Sequence, residues 1–195
     1  DPESAKSTLG LSGKLVLGFT GFVRDWHGVD RVVRWLATPQ APQNAFLLIV
    51  GDGPVRAELE ALARSLGVAD KVRFTGVIDR AVVPAHVAAF DVALQPAVTD
   101  YASPLKLMEY LYLGKAIVAP AEPNLVEVLT HNENALLFDA KSANGFENAL
   151  ENLCADSELR QRLSAGARQT IDTQKLTWRG NAAKVIDLVA KKGAR

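Results

Sequence analysis

Apolar runs and helical repeats alternate along this chain. The first run, from Leu15 to Thr20, is continuous and stops at a glycine, which is typical of a central parallel strand with both faces buried. Similar runs predict further strands at 45–50, 72–75, 91–95, 116–119 and 135–138. Because apolar residues at helical spacing separate these runs, the pattern predicts an α/β fold, a doubly wound parallel sheet of about six strands.

The helical repeats also divide the chain. They predict helices at 29–37, 59–66, 81–90, 104–113, 122–129, 143–153, 157–171 and 177–190. Residues 1–13 are polar and without periodicity, so we expect a linker there that leads into a domain over 14–176, and we expect the chain to be a piece of a longer protein. Residues 177–195 follow as a terminal helix.

The segment 99–120 is predicted to organise the site, as loop, helix, turn and strand. Ser103 is a suitable N-cap and Pro104 suits the first helical position. The unbonded N–H groups of Leu105 and Lys106 would then lie at the positive end of the helix dipole, which favours phosphate binding.

Apolar residues cover most of this helix, which predicts that it is largely buried. Glu109 lies in its middle, and a buried carboxylate must be paired or hydrogen-bonded. Three partners stay open: Lys106, a backbone donor or a ligand hydroxyl.

In the common strand order of this fold, the first and fourth strands are neighbours and ligands bind beyond their carboxyl ends. Arg24, His27 and Lys106 would bring positive charge there, which suits a diphosphate and stabilises its departure as a leaving group. The spacing is equally consistent with an alternative in which Arg24 and Lys106 are solvated surface charges and His27 caps the next helix. Asp100 and Tyr101 are placed to bind sugar hydroxyls, or equally to act as local caps.

Composition excludes several classes of function. The chain has 195 residues, of which 48% are hydrophobic, enough for one domain with a substantial core. Acidic and basic residues balance at 22 each, so charge gives no argument for nucleic acid. The single cysteine, Cys154, excludes an internal disulfide, and no cluster has metal-ligand spacing, so no bound metal is expected. No apolar run has the length of a membrane span, and a cytoplasmic location is the default expectation.

Phosphate-binding motifs of two other classes are absent from the sequence. Neither the loop after the first strand nor the GDGP turn matches G-x-G-x-x-G, and no Walker loop is present. A nicotinamide-dependent oxidoreductase on the same sheet is therefore disfavoured.

Five segments in order carry a family resemblance: GFVRDWHGVDRVV, LLIVGDGPVRAELEALARSLGVADKVRFTG, DVALQP, SPLKLMEYLYLGKAIVAP and LVEVL. The chain from Gly13 to Lys192 resembles the C-terminal, donor-binding domain of retaining group 1 glycosyltransferases, whose Rossmann-like sheet is one half of the GT-B architecture. The resemblance implies that a UDP- or GDP-sugar binds as a substrate, without a separate cofactor.

The resemblance also implies roles for individual residues. Glu109 would bond the ribose hydroxyls, and backbone at Ser103, Leu105 and Lys106 would hold the diphosphate. Backbone near Val77 would meet the base. Further contacts would involve three glycines, with Gly51 and Gly53 allowing close approach and Gly21 lying against the phosphates or the sugar.

Departures from the family pattern affect the same site. The first of the family's two paired glutamates is replaced by Tyr101, so a usual contact to the donor sugar is either missing or passed to Asp100. The usual arginine and lysine of the first loop are Phe22 and His27, so phosphate neutralisation would depend on Arg24. Pro104 removes one N–H donor that a glycine would supply.

The resemblance implies a metal-free transfer with retention of configuration, in which Arg24, Lys106 and Glu109 are the candidate catalytic residues. The family's acceptor site and a catalytic histidine lie on an N-terminal domain, so we expect this chain to bind donor without turnover. Residues 177–195 resemble the segment that crosses back to that domain, through which peripheral membrane association is also implied. The alternative is a non-catalytic scaffold or partner domain.

Overall fold

The computed structural model describes residues 1–193, and its centre is one parallel sheet. Its strands are β1 (Leu15–Thr20), β2 (Ala45–Val50), β3 (Val72–Phe74), β4 (Val92–Leu94), β5 (Ala116–Pro120) and β6 (Leu136–Phe138). They lie in the order β3-β2-β1-β4-β5-β6, and every neighbouring pair is parallel. The predicted doubly wound sheet is confirmed.

Helices cover both faces of the sheet. They are α1 (Pro2–Thr8), α2 (Val29–Leu36), α3 (Arg56–Ser65), α4 (Val83–Ala88), α5 (Leu105–Tyr112), α6 (Pro123–Val126), α7 (Gly145–Ala155), α8 (Ser157–Thr173) and α9 (Trp178–Gly193). One apolar core lies under α2, α3 and α7, and a second lies under α4, α5 and α8. Because side chains alternate along each strand, both faces contribute to a core.

The strand order reverses between β1 and β4, which pair directly. At such a point the connecting loops leave in opposite directions and open a crevice at the carboxyl ends of the strands. The predicted adjacency of the first and fourth strands therefore holds, and it brings the loop after β1 close to the start of α5.

The amino-terminal segment differs from the irregular linker expected over residues 1–13. Residues 2–8 form α1, and Lys6 is only 5% exposed. Its ammonium lies 2.9 Å from the carboxylate of Asp91, which also accepts the Val16 N–H at 2.7 Å. Leu11 is buried in the second core. The residue that α1 buries is a charged lysine, so the helix has no apolar repeat by which the sequence could predict it. A linking role for residues 1–13 stays a prediction.

The terminal helix α9 exposes apolar side chains, namely Trp178, Val185, Ile186, Leu188 and Val189. The last two residues of the predicted segment 177–195 lie outside the described residues. Within residues 1–193, no helix combines the length and apolar character that crossing a membrane requires. A cytoplasmic location stays a prediction.

Candidate functional site

A cleft of about 750 Å³ opens at the carboxyl ends of β1 and β2, beside α5. Its wall is mostly apolar and carries four charged side chains. The lining residues are Thr20, Gly21, Phe22, Val50, Gly51, Asp52, Val77, Ile78, Arg80, Val83, Pro84, Val87, Leu105, Lys106, Glu109, Tyr112 and Leu113. An apolar concavity with a few polar groups is the usual form of a small-molecule site.

Helix α5 is half-buried rather than largely buried as predicted. Leu107, Tyr110 and Leu111 enter the second core. The opposite face lines the cleft, so Leu105 is 78% exposed and Glu109 is also exposed. Glu109 therefore needs no protein partner, and no hydrogen bond or ion pair to its side chain is present within residues 1–193.

The start of α5 lies one residue later than predicted. Pro104 is the N-cap, with extended backbone at φ −69° and ψ 107°. Within residues 1–193, the Ser103 side chain makes no capping hydrogen bond. A proline ring fixes φ and leaves Pro104 without an N–H donor. Across the described part of the chain, the N–H groups of Leu105 and Lys106 have no acceptor, so both stay available at the helix end.

Lys106 supplies a buried cation at the cleft. Its Nζ lies 3.8 Å from the centroid of the Phe19 ring and has no hydrogen-bond partner within residues 1–193. Burial lowers the pKa of this amino group to about 7, although the nearby charge of Glu109 acts in the opposite direction. A Cβ built on Gly21 would lie 3.9 Å from the same Nζ, so Lys106 borders the end of β1.

His27 does not supply the positive charge that the sequence predicts. Its Nδ1 accepts the Arg24 N–H at 3.0 Å, and its ring lies 5.2 Å from that of Phe19. Burial, together with the charges of Lys106 and Arg24, lowers the pKa of His27 to about 4. The imidazole is therefore neutral at pH 7 and caps a single 3₁₀ turn at Asp25–His27.

Arg24 lies outside the cleft. Its guanidinium is 4.8 Å from the Phe22 ring centroid and 5.4 Å from that of Trp26, which gives two cation–π contacts at the surface. The side chain lines a separate cavity of about 490 Å³ with Asp25 and Asp30. Arg24 is therefore not part of the cleft lining that contains Lys106 and Leu105.

The glycines after β2 are required by the neighbouring loop. A Cβ on Gly51, whose φ is 141°, would overlap the carbonyl oxygen of Gly21. A Cβ on Gly53 would overlap the carbonyl oxygen of Val23. Protein backbone, rather than a ligand, thus occupies the space that these glycines free. Gly51 lines the cleft, and so does Val77, which is 85% exposed.

Three predicted site residues lie at the surface beyond the cleft wall. Asp100, Tyr101 and Ser103 are exposed, and none of them lines the cleft. They precede α5 in a loop whose position fixes the helix terminus. The structure therefore brings together Gly21, Gly51 and Val77 with Leu105, Lys106 and Glu109, while the other candidates lie apart.

Sequence reasoning missed Tyr110, which holds the end of β1. Its hydroxyl oxygen accepts the Thr20 N–H at 2.9 Å inside the protein, and burial raises the pKa of the phenol. The signal was a phenol on the apolar face of a helix, since a buried tyrosine hydroxyl needs a partner. Arg80 and Tyr112 were also missed, and both line the cleft.

A comparison with protein families decides what kind of protein carries this cleft. The family model described as "Glycosyl transferases group 1" matches residues 2–170, which is most of the chain. The chain belongs to the group 1 glycosyltransferases.

Relatives in this family act in several glycosylation reactions. A lipopolysaccharide core biosynthesis glycosyltransferase of Rhizobium meliloti is 33% identical over 82% of this chain and 45% of its own length. A GDP-mannose-dependent α-(1-6)-phosphatidylinositol monomannoside mannosyltransferase of Mycobacterium tuberculosis is 31% identical over 75% of this chain and 39% of its own length. The chain thus spans less than half the length of these two relatives.

A solved structure shows the same fold. The crystal structure of Anabaena HepE in complex with UDP superposes with a TM-score of 0.84 at 21% identity. The match covers 97% of this chain and 52% of that one. The predicted resemblance to one half of a GT-B glycosyltransferase is therefore confirmed at the level of family and fold.

Proposed function

We propose that this chain is the donor-binding half of a glycosyltransferase and that its cleft binds a UDP- or GDP-sugar. The observation that carries the proposal is the unpaired ammonium of Lys106 beside the free N–H groups that begin α5. A cation and a helix amino end in one cleft form a site for an anion with several charges. A nucleoside diphosphate is such an anion.

The rest of the cleft suits the remainder of a nucleotide. Glu109 lies one helical turn beyond Leu105, and its exposed carboxylate is available to accept hydrogen bonds from ribose hydroxyls. Val77, Ile78 and Val83 give an apolar wall for a planar base. The choice between uracil and guanine stays open, because HepE is solved with UDP and the Mycobacterium relative is named for GDP-mannose.

The proposed chemistry is a metal-free transfer with retention of configuration. Lys106 and the α5 N–H groups would stabilise the negative charge that develops on the departing diphosphate. The acceptor would attack the face that the diphosphate leaves. Arg24 packs on Phe22 and does not line the cleft, so this proposal gives it no catalytic part.

Turnover would require groups from a second domain. The chain spans less than half of its two named relatives. We therefore expect the chain to bind donor without transferring sugar, and to gain transfer when joined to an N-terminal GT-B domain. Sugar transfer by the isolated chain at ordinary enzyme rates would contradict the proposal that transfer requires the second domain. Peripheral membrane association gains no support from residues 1–193.

A non-catalytic scaffold is the second candidate, favoured by the neutral state of His27 and the outward position of Arg24. Calorimetric titration with UDP, GDP and NAD, each without added metal, separates the possibilities. Saturable binding of UDP or GDP supports a donor site. Binding of neither favours a scaffold, and binding of NAD alone supports a nicotinamide-dependent enzyme.

A further inference from the structure

Two amide side chains hold the β4–α5 loop, defined here as residues 95–104. Asn124, the second residue of α6, donates from Nδ2 to the carbonyl oxygen of Thr99 at 3.1 Å and to that of Ala102 at 2.5 Å. Gln95 donates from Nε2 to the carbonyl oxygen of Ala97 at 2.6 Å. The Gln95 bond thus closes the start of the loop on itself, and the Asn124 bonds tie the middle of the loop to the segment after β5.

Both amides have an unpaired oxygen. The Oε1 of Gln95 and the Oδ1 of Asn124 are buried and have no hydrogen-bond donor within residues 1–193. A buried acceptor without a donor costs stability, roughly 1–3 kcal/mol. An amide at position 124 therefore lowers stability through its unpaired oxygen. Its two hydrogen bonds from the nitrogen offset this cost if they are needed to position the loop.

The loop has few other ties near α5. The Ala102 N–H donates to the Thr99 carbonyl at 3.1 Å, which closes a turn within the loop without linking it to the protein body. Ser103 makes no capping bond, and Pro104 has no N–H to donate. Asn124 therefore contributes the side-chain contact that joins this turn to the next α/β unit.

We propose that Asn124 is a positioning residue, which fixes the β4–α5 loop so that the first N–H groups of α5 meet the donor diphosphate. The inference rests on the proposed donor-binding function. Helix α5 starts at Leu105, three residues after the carbonyl of Ala102 that Asn124 holds. A shift of this carbonyl therefore moves the donors of Leu105 and Lys106, and misplaced donors bind an anion poorly.

The test compares Asn124→Ala and Asn124→Asp with a matched control, Asn44→Ala. Asn44 also donates from Nδ2 to a loop carbonyl, that of Gly13 at 3.1 Å, and it does not line the cleft. The first measurement is the dissociation constant of whichever nucleotide, UDP or GDP, the wild-type chain binds. The second, without nucleotide, is the rate of chymotrypsin cleavage after the exposed Tyr101, with the melting temperature as a measure of global stability.

We expect Asn124→Ala to weaken nucleotide binding about 10-fold and to speed cleavage after Tyr101 several-fold, in line with a lost pair of hydrogen bonds. Asn124→Asp should weaken binding at least as much, since a carboxylate cannot donate to the two carbonyls and repels phosphate. Asn44→Ala should leave both quantities unchanged.

Unchanged affinity and unchanged cleavage in Asn124→Ala would overturn the proposal, as would equal losses in Asn44→Ala. The proposal would also be contradicted if affinity fell while the cleavage rate rose only as much as the lower melting temperature explains. Asn124 would then act through global stability. If the wild-type chain binds neither nucleotide, the donor-binding function fails, while the cleavage rates still decide whether Asn124 holds the loop.

Discussion

The ammonium of Lys106 lies 3.8 Å from the centroid of the Phe19 ring, with no hydrogen-bond partner in the described part of the chain. An aromatic face compensates a cation only partly, by roughly 1–2 kcal/mol. Burial accordingly lowers the pKa of Lys106 to about 7. The cleft therefore contains a buried amino group whose protonated form an anionic ligand would stabilise.

Replacing this amine should separate stability from binding. We expect Lys106→Met to keep or raise the melting temperature, because a thioether packs on the Phe19 ring without the cost of burying an unpaired charge. The same change should weaken UDP or GDP binding at least about 10-fold through the lost charge-assisted hydrogen bond. Thermal melts and calorimetry on one preparation measure both. Nucleotide affinity equal to wild type would show that Lys106 lies outside the binding site.

Nucleotide binding should fall as pH rises through the pKa of Lys106. The diphosphate binds the protonated amine, so binding raises that pKa and takes up part of a proton near pH 7. His27, with its pKa near 4, stays neutral above pH 6 and does not alter the slope. Between pH 7 and 9 we expect the affinity to fall, by at most about 10-fold per pH unit.

Titrations in two buffers with different ionisation enthalpies measure the proton uptake. The matched control is Lys106→Met, in which both the uptake and the pH slope should disappear. A slope that persists in this variant would assign the titration to another group.

Glu109 should contribute to binding and hardly to the fold. Its side chain is exposed at the cleft and has no partner within residues 1–193, so Glu109→Gln removes no protein contact. We expect a change in unfolding free energy within about 0.5 kcal/mol, as for other surface substitutions. Binding of UDP or GDP should weaken about 10-fold, since a charged acceptor for two hydroxyls becomes a neutral one. Parallel losses of stability and affinity would instead show a structural role.

The amino-terminal segment should stabilise the domain through Lys6 and Asp91. Removing the carboxylate in Asp91→Ala leaves the buried ammonium of Lys6 unpaired and frees the Val16 N–H. We expect a loss of about 3 kcal/mol in unfolding free energy, the lower end for breaking a buried ion pair. Glu3→Ala, which removes the exposed partner of the same lysine, should cost less than about 1 kcal/mol. Denaturant unfolding measures both, and equal costs would contradict the arrangement.

The fold followed from the sequence because its four central strands, β2, β1, β4 and β5, are buried on both faces. Each such strand is a continuous apolar run, as from Leu15 to Thr20, and this signal needs no tertiary information. The strand order followed from the common topology of the fold. By contrast, α1 could not be predicted, because the residue that docks it, Lys6, is polar and becomes buried only by pairing with the distant Asp91.

The site was predicted only in part, because some of its residues lie in a recognisable sequence pattern and others depend on tertiary contacts. Lys106 and Glu109 were found from their position on a recognisable helix. The neutral state of His27 depends on its burial and on the charges of Lys106 and Arg24, and the position of Arg24 depends on how its side chain packs on nearby rings. Neither can be inferred from spacing along the chain.

The central claim is that the amino end of α5 and Lys106 bind a nucleoside diphosphate. The most direct test is a titration of the ¹⁵N-labelled chain with UDP and with GDP, followed by the backbone amide signals in NMR. We predict saturable shifts at Leu105, Lys106 and Gly21, and unchanged signals at Asp30 in the separate cavity. Shifts confined to that cavity, or none with either nucleotide at millimolar concentration, would contradict the account.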